Sequence, residues 1–226
     1  MREIVLDTET TGLDPAAGHR LVEVACLELM HHLPSGRVFQ RHLNPEREVP
    51  EEATRIHGLT GEFLADKPLF REVASALLAF IGEAPLVIHN AEFDLGFLNA
   101  ELARIGGAPI ARARAIDTVQ LARRKFPGAP ASLDALCSRF AIDNSGRDFH
   151  GARLDAELLC EVYLELIGGR QATMELAAKS PAGGPGPGGQ ATRRPARAPR
   201  GPSRQELAAH ERFVAGLKNP IWTSDG

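Results

Sequence analysis

Short apolar runs alternate with longer segments of helical periodicity over most of the chain, and this alternation constrains the fold more than any other feature. Three strand-like runs open the sequence as a β-meander, at 4–7, 21–29 and 38–43, and a helical stretch follows at 69–83. Strands and helices then interleave up to the glycine pair at 168–169, which is expected to end the last helix. The pattern predicts an α/β fold in which helices flank a β-sheet of mixed direction. The later strands are expected in PLVIHN and ARAID, and the later helices in FDLGFLNAELARIG, TVQLARRKF, SLDALCSRFA and ARLDAELLCEVYLELI.

Charge is distributed unevenly along the chain. Residues 1–180 hold 19 Lys and Arg against 26 Asp and Glu, a net charge of −7, whereas 181–202 hold four Arg and no acid. Non-specific affinity for nucleic acid comes mainly from cationic side chains that displace counterions. A domain this acidic would bind DNA weakly on its own, so if the substrate is DNA, a partner is expected to deliver it.

Length and composition narrow the class of protein. The 226 residues suffice for one catalytic domain and a small appendage. No apolar run approaches the roughly 20 residues of a membrane-spanning helix, and Met1 leads directly into the first strand, so the protein is expected in the cytosol. Cys26, Cys137 and Cys160 lie among apolar neighbours and are expected to be buried thiols rather than disulfides or zinc ligands.

The composition changes sharply after the catalytic domain. Residues 180–202 are predicted to be a disordered linker, because Pro, Gly and Arg fill the segment and almost nothing in it can enter a core. Helical periodicity returns after Ser203, an expected N-cap, with Leu207 and Phe213 among the apolar positions. A helix this short is marginal in isolation, so the helical tail at 203–226 is predicted to dock on another protein.

Five polar residues in three separate segments are the candidates for chemistry. Asp7 and Glu9 lie two apart at the end of the first strand, so their carboxylates face the same side of the sheet. Asp94 begins a helix, and His150 stands at the entrance of the last helix. Taken singly, these residues have structural interpretations as strand-ending acids, a helix-dipole acid and a cap or surface histidine. Asp155, beside the apolar stripe of the last helix, is costly to bury unless it binds a ligand.

As a set, four carboxylates and one histidine meet the requirements of phosphodiester hydrolysis by two metal ions. Carboxylate oxygens suit Mg²⁺ or Mn²⁺, and two ions about 4 Å apart can activate a water and stabilise the leaving 3′ oxygen. A histidine that titrates near neutrality can take the proton of that water. The sequence contains no G-x-S-x-G, no G-x-x-x-x-G-K-[ST], no H-E-x-x-H and no paired C-x-x-C. The set therefore predicts a metal-dependent nuclease.

These residues resemble the three motifs of the DEDDh exonucleases, the histidine-bearing branch of the DEDD superfamily, whose fold is ribonuclease H-like. Over nearly the whole chain the sequence also resembles the proofreading epsilon subunits of bacterial DNA polymerase III. The resemblance implies a catalytic domain at 1–170 that hydrolyses the 3′-terminal phosphodiester of single-stranded or frayed DNA. It is carried by IVLDTETTGLDP, RIHGLTGEFLADKP, LVIHNAEFDLGFLN, RKFPG, SLDALCSRFAIDNSGRDFHGARLDAELLCEVYL and QELAAHERF.

The resemblance also implies roles for the candidate residues. Asp7, Glu9 and Asp155 would hold two catalytic metal ions and contact the substrate, with Asp7 bridging both ions. Asp94 would support the second ion, partly through water, and His150 would be the general base.

Four further polar residues are candidates either for the site or for helix capping. Glu52 and His57, in PEEATRIHG, match positions that touch the terminal nucleotide in the family, and their alternative interpretation is a capped short helix. Asp117 and Asp134 lie where helices are expected to begin. They are assigned to capping and to the helix dipole rather than to catalysis.

Two segments resemble sites for partner proteins. Gln171, Met174 and Leu176, in the segment 171–179, are similar to the short sliding-clamp-binding peptides of bacterial polymerases. The tail resembles the segment that tethers epsilon subunits to the catalytic (alpha) subunit of the polymerase. Aromatic residues often contribute most of the binding energy at such protein–protein interfaces. The expected contacts with the polymerase are Leu207, Phe213 and Trp222.

Two other functions are compatible with parts of the sequence. The same acids would serve a DEDDh nuclease that trims RNA or short oligonucleotides, although the linker and tail argue against that function. The chain could also be a non-catalytic scaffold of a polymerase–clamp assembly, held through residues 171–176 and 203–226. The complete set of acids argues against a scaffold, which would not need them.

Overall fold

The computed structural model describes residues 1–146, 149–168 and 203–216. The chain divides into two units, of which the first contains the β-sheet and the second contains the C-terminal helix, so the two are described separately. The predicted clamp-binding segment, the predicted linker and Trp222 lie outside the described residues. In the described part of the chain, no helix has both the length and the apolar character needed to cross a membrane.

The predicted elements of the first unit are present, and the structure adds two short helices that periodicity did not predict. Helices of seven and four residues are shorter than the window in which a helical period can be recognised. The strands are β1 (Arg2–Thr10), β2 (Leu21–Met30), β3 (Leu33–His42), β4 (Leu86–Ile88) and β5 (Ala115–Asp117). The helices are α1 (Glu51–His57), α2 (Gly61–Leu64), α3 (Phe70–Ile81), α4 (Ala91–Arg104), α5 (Thr118–Lys125), α6 (Leu133–Phe140) and α7 (Ala152–Leu166). Single 3₁₀ turns occur at Pro15–Ala17 and Arg112–Arg114.

The five strands form one mixed sheet in the order β3-β2-β1-β4-β5. The β1–β2 and β2–β3 pairs are antiparallel, whereas β1–β4 and β4–β5 are parallel. The predicted α/β class with a mixed sheet is confirmed. In such sheets ligands bind outside the carboxyl ends of the parallel strands, which here is the end of β1 that carries the predicted acids.

Alternate residues of β1 face two separate apolar cores. Ile4 and Leu6 pack with α3 and α4 on one face, and Val5 packs with α6 and α7 on the other. Full burial of each such side chain stabilises the fold by about 1.5–3 kcal/mol. The three cysteines are buried free thiols, as predicted. The sheet is therefore a rigid central layer, and helices on its two faces can bring side chains to the same edge.

Helix termini test the predicted caps. The Asp117 carboxylate accepts the N–H groups of Val119 and Gln120, at 3.0 and 3.3 Å, and caps α5 as predicted. The prediction of a cap at Asp134 was wrong, because the Ser132 hydroxyl caps α6. Asp134 instead lies in the first turn of α6, where a carboxylate still interacts favourably with the helix dipole.

The second unit contains α8 (Arg204–Ala215), which begins at the predicted cap. Ser203 and Glu206 form a reciprocal capping box, with the Glu206 carboxylate 2.7 Å from the Ser203 nitrogen. No residue of α8 is buried, and Leu207 and Phe213 are 46% and 64% exposed. This helix is stabilised by local interactions and carries apolar side chains that its own unit leaves uncovered.

Candidate active site

The end of β1 and the first turn of α7 bring three predicted carboxylates together. Asp7 and Glu9 point to the same face of the sheet, the face on which α7 packs through its apolar stripe. Asp155 lies in the first turn of α7 and is buried. One oxygen from each of Asp7, Glu9 and Asp155 lies within 4.8 Å of the other two. The packing of one helix on one strand thus concentrates three acids at a single point.

Asp94 approaches this edge of the sheet from α4 and lies outside the group of three. The Thr8 hydroxyl donates a 2.8 Å hydrogen bond to Asp94 Oδ1. Since Thr8 points to the face opposite Asp7 and Glu9, this bond fastens α4 to β1 from the other side of the sheet. Burial raises the pKa of Asp94 to about 7, although the bond from Thr8 opposes the shift. In the metal-free protein, the Asp94 carboxyl is therefore partly protonated at neutral pH.

His150 is held beside the carboxylates but remains accessible to water. Its Nδ1 lies 3.4 Å from Asp155 Oδ2, and its side chain is 49% exposed. Its backbone N–H donates a 2.9 Å hydrogen bond to the carbonyl of Ile56 in α1. The structure thus places His150, as predicted from its position, at the entrance of α7 and next to the acid five residues further on.

A cavity of about 510 Å³ opens beside the carboxylates. Glu52 and His57, which are predicted to touch the terminal nucleotide, line this cavity together with Glu9 of the carboxylate group. Drug-sized ligands occupy cavities of roughly 300–1,000 Å³, so this volume is large enough for a nucleotide. Leu13, Ile56 and Phe93 supply much of the apolar lining.

His57 is oriented by its own loop. Its Nδ1 accepts the N–H of Leu59 at 3.0 Å, which places the imidazole hydrogen on Nε2. Nε2 is buried. Burial lowers the pKa of His57, although a hydrogen bond with the Thr10 backbone and the charge of Glu23 oppose the shift, and the side chain lines the cavity.

Comparison of the sequence with known proteins identifies its family. The exonuclease family model, RNase T, matches residues 4–163. The DNA polymerase III subunit epsilon of Rickettsia felis is 54% identical over 183 residues, covering 80% of each chain. The chain belongs to the exonuclease family, among the DNA polymerase III epsilon subunits. The epsilon subunit of Escherichia coli K12 is 46% identical over 176 residues, covering 75% of this chain and 72% of that protein.

Solved structures support the fold of this exonuclease family. The nuclease domain of 3′hExo, a DEDDh family member bound to rAMP, superposes with a TM-score of 0.64 over 75% of this chain and 92% of that chain. Exonuclease X in complex with 5′ overhanging duplex DNA superposes with a TM-score of 0.58 over 75% and 93%. Their identities to this chain are 17% and 24%, so both similarities show the ribonuclease H-like fold alone.

Membership in this exonuclease family implies divalent metal ions, and the carboxylate cluster fits them. Three carboxylates within 4.8 Å present hard oxygen ligands and no nitrogen or sulfur, a donor set suited to Mg²⁺ or Mn²⁺. Their mutual repulsion at this distance would be relieved by a divalent cation. Among the described residues, this is the group of potential ligands close enough to share an ion.

Sequence reasoning missed three residues that shape this exonuclease site. Thr8 lies between Asp7 and Glu9 in β1, so its side chain points to the opposite face of the sheet. This alternation could have indicated that Thr8 bonds to a residue packed on that face. The His19 ring packs directly against Gly12, so a side chain at this position would collide with it. Glu23 pairs directly with Glu9 across β1 and β2, a register that no local pattern reveals.

Proposed function

We propose that this 3′→5′ exonuclease proofreads for a bacterial DNA polymerase III, removing mispaired 3′-terminal nucleotides. The observation that carries the proposal is the convergence of Asp7, Glu9 and Asp155 within 4.8 Å at the edge of the sheet. The epsilon-subunit relatives give the replicative setting. The net charge of −7 over residues 1–180 supports delivery of DNA by the polymerase, because this domain offers little general attraction for phosphates.

Each site residue has a role that its position supports. Asp7, Glu9 and Asp155 would hold two Mg²⁺ or Mn²⁺ ions, which would supply charge stabilisation at the phosphoryl and leaving oxygens. Asp94, fastened by Thr8, would support the second ion. His150 would take the proton of the attacking water, since its half-exposed ring stands beside Asp155 and in contact with solvent.

The cavity is proposed to hold the terminal nucleotide. His57 and Glu52 would contact the nucleotide from the same wall. A mispaired terminus separates from its template at lower free-energy cost than a paired one. Mispaired ends would therefore reach the cavity more often, which gives selectivity without recognition of a particular base.

The remaining segments are proposed to attach the enzyme to the replication machinery in the cytosol. The exonuclease domain would span 1–170, the clamp-binding segment 171–179, the linker 180–202 and the polymerase-binding tail 203–226. Leu207 and Phe213 are exposed on α8, as a docking helix requires. Trp222 would add contacts with the alpha subunit, and Gln171, Met174 and Leu176 would bind the sliding clamp.

The test is Mg²⁺-dependent release of mononucleotides from a 3′-mismatched DNA primer, with a matched RNA strand in parallel. The wild type should release deoxynucleoside 5′-monophosphates from the 3′ end, and Asp7→Ala should not. Asp66→Asn is the control, because this exposed acid lies away from the cluster and pairs with Lys67. Preference for RNA would support the trimming function instead, and polymerase binding without hydrolysis would support the scaffold.

A further inference from the structure

A buried carboxylate that belongs to neither the cluster nor the cavity lies beside the site. Glu23, on β2, is 3% exposed. It pairs directly with Glu9 across β1 and β2, and with His42 across β2 and β3. Directly paired residues of antiparallel strands point to the same face, so Glu23 stands on the face that carries Asp7 and Glu9.

The entrance of α7 lacks a cap of its own. Its N-cap residue is Gly151, which has no side chain to accept an N–H of the first turn. The Glu23 Oε2 atom instead accepts the N–H of Ala152 in a buried 3.1 Å hydrogen bond. A carboxylate in this place also interacts favourably with the positive end of the helix dipole. Glu23 therefore caps α7 from the sheet, across 129 residues of sequence.

The Glu23 side chain is itself held in position. Its Oε1 accepts a 2.6 Å hydrogen bond from Gln40 Nε2 and lies 3.3 Å from His42 Nε2. Both partners come from β3. Because each carboxylate oxygen has its own partner, the side chain is oriented toward Ala152 and has little freedom to rotate.

The cap is close to two proposed catalytic groups. His150 lies two residues before Ala152, and Asp155 lies three residues after it. The Asp155 N–H donates to the Gly151 carbonyl at 2.9 Å, so the first helical bond of α7 starts at the capped turn. The His150 N–H is bound to the carbonyl of Ile56. Two bonds from separate elements thus fix the backbone on both sides of Gly151.

We infer that Glu23 is a positioning residue of the exonuclease, which fixes the first turn of α7 and so aligns Asp155 with Asp7 and Glu9. This inference rests on the proposed function for its catalytic consequence. Its structural part concerns the metal-free protein and is independent of activity.

The kinetic test uses the full-length chain with Glu23→Ala, Glu23→Gln and a matched control, Ser132→Ala. The Ser132 hydroxyl accepts the Ala135 N–H, so its removal uncaps α6 and leaves α7 unchanged. Glu23→Ala should lower kcat for mononucleotide release roughly 10- to 100-fold, the range seen when a group that orients a metal ligand is lost. KM for the oligonucleotide should change little. Glu23→Gln should retain most of the activity, because its amide oxygen can accept the Ala152 N–H.

The structural test is hydrogen exchange in the metal-free proteins. The amides of Ala152 and Asp155 should exchange faster in Glu23→Ala and remain protected in Glu23→Gln, because these two carry the hydrogen bonds of the first turn. Ser132→Ala should affect only the start of α6. The inference is overturned by unchanged exchange at both amides, by equal kcat losses in Glu23→Ala and Ser132→Ala, or by a Glu23→Gln as slow as Glu23→Ala. If Glu23→Ala does not fold, the test rests on Glu23→Gln. Amide exchange and kcat at the wild-type level in that variant support the inference, and faster exchange or a lower kcat overturns it. A wild type without hydrolytic activity would refute the proposed function but leave the exchange result intact.

Discussion

The exonuclease unit and the tail helix α8 are built on opposite principles. The first unit buries two of its proposed site acids, since Asp94 and Asp155 are 3% and 5% exposed. Thr8 bonds to Asp94 from 86 residues away, and Asp7 and Glu9 lie within 4.8 Å of Asp155. In α8 no residue is buried, and the capping box of Ser203 and Glu206 joins residues only three apart. One region concentrates charge by tertiary packing, whereas the other is a short local structure with exposed apolar positions.

This difference in burial assigns hydrolysis to the first unit and docking on a partner protein to α8. Buried carboxylates are costly unless they are paired or bind a ligand, and the group of Asp7, Glu9 and Asp155 in the sheet domain is close enough to share a metal ion. An exposed amphipathic helix is typical of a segment that gains stability when it docks in a groove of a partner. Changes in one region should therefore leave the activity of the other intact.

The largest effect should follow from Asp155→Asn. Bound metal ions stabilise the transition state by several kcal/mol, so the loss of a ligand should reduce mononucleotide release by about a thousandfold. Binding to the polymerase alpha subunit, measured by surface plasmon resonance, should not change. A parallel loss of binding would show that the two regions are not separate.

Removal of residues 203–226 should have the converse effect. Affinity for the alpha subunit should be lost, because the proposed contacts Leu207, Phe213 and Trp222 are removed together. Hydrolysis of free single-stranded DNA should stay within about twofold of wild type, since no proposed catalytic residue lies in the tail. A truncated protein that loses both activities would contradict the modular organisation.

Asp94→Asn should change how the stability of the metal-free protein depends on pH. The folded-state pKa of Asp94 is about 7, above its ordinary value of 3.8, so the folded state binds more protons than the unfolded state between these limits. The free energy of unfolding should therefore fall as pH rises from about 4 to about 7. Asn cannot ionise, so the variant should not lose this stability. The difference in free energy of unfolding between Asp94→Asn and wild type should therefore shift in favour of the variant by about 2–4 kcal/mol from pH 4 to pH 8.

Urea unfolding in EDTA at pH 4 and pH 8 measures this difference. Asp66→Asn is the control, because its side chain is 79% exposed and should give nearly parallel curves. A difference between Asp94→Asn and wild type that is equal at both pH values would mean that burial does not suppress ionisation of Asp94.

The smallest effect should come from Ser203→Ala, which removes the cap of α8. Loss of such a cap costs about 1 kcal/mol of helix stability, so affinity for the alpha subunit should fall about fivefold. Circular dichroism of a peptide covering 203–226 would report the helix, and the nuclease rate is the internal control. Unchanged affinity despite lower helicity would show that the tail does not bind as a helix.

The periodicity of the sequence predicted most of the fold but not every boundary. Helix α7 was predicted from its apolar stripe, and Ser203 and Asp117 were identified as caps from residue type. Helices α1 and α2 are too short to show a period, although α1 carries Glu52 and His57. The true cap of α6 was missed because Ser132 and Asp134 are both acceptable near a helix start, and only the backbone geometry separates them.

Local patterns in the sequence were enough to predict the α/β class, the strand-end pair Asp7 and Glu9, and a change of composition after residue 180. These features depend on periodicity, side-chain chemistry and composition, which are properties of neighbouring residues. Only the folded chain reveals that Asp155 meets the strand acids, that Thr8 holds Asp94 from the opposite face and that Glu23 caps α7. Each of these contacts joins residues between 86 and 148 positions apart, and such contacts depend on how strands pair and helices pack, which no local pattern contains.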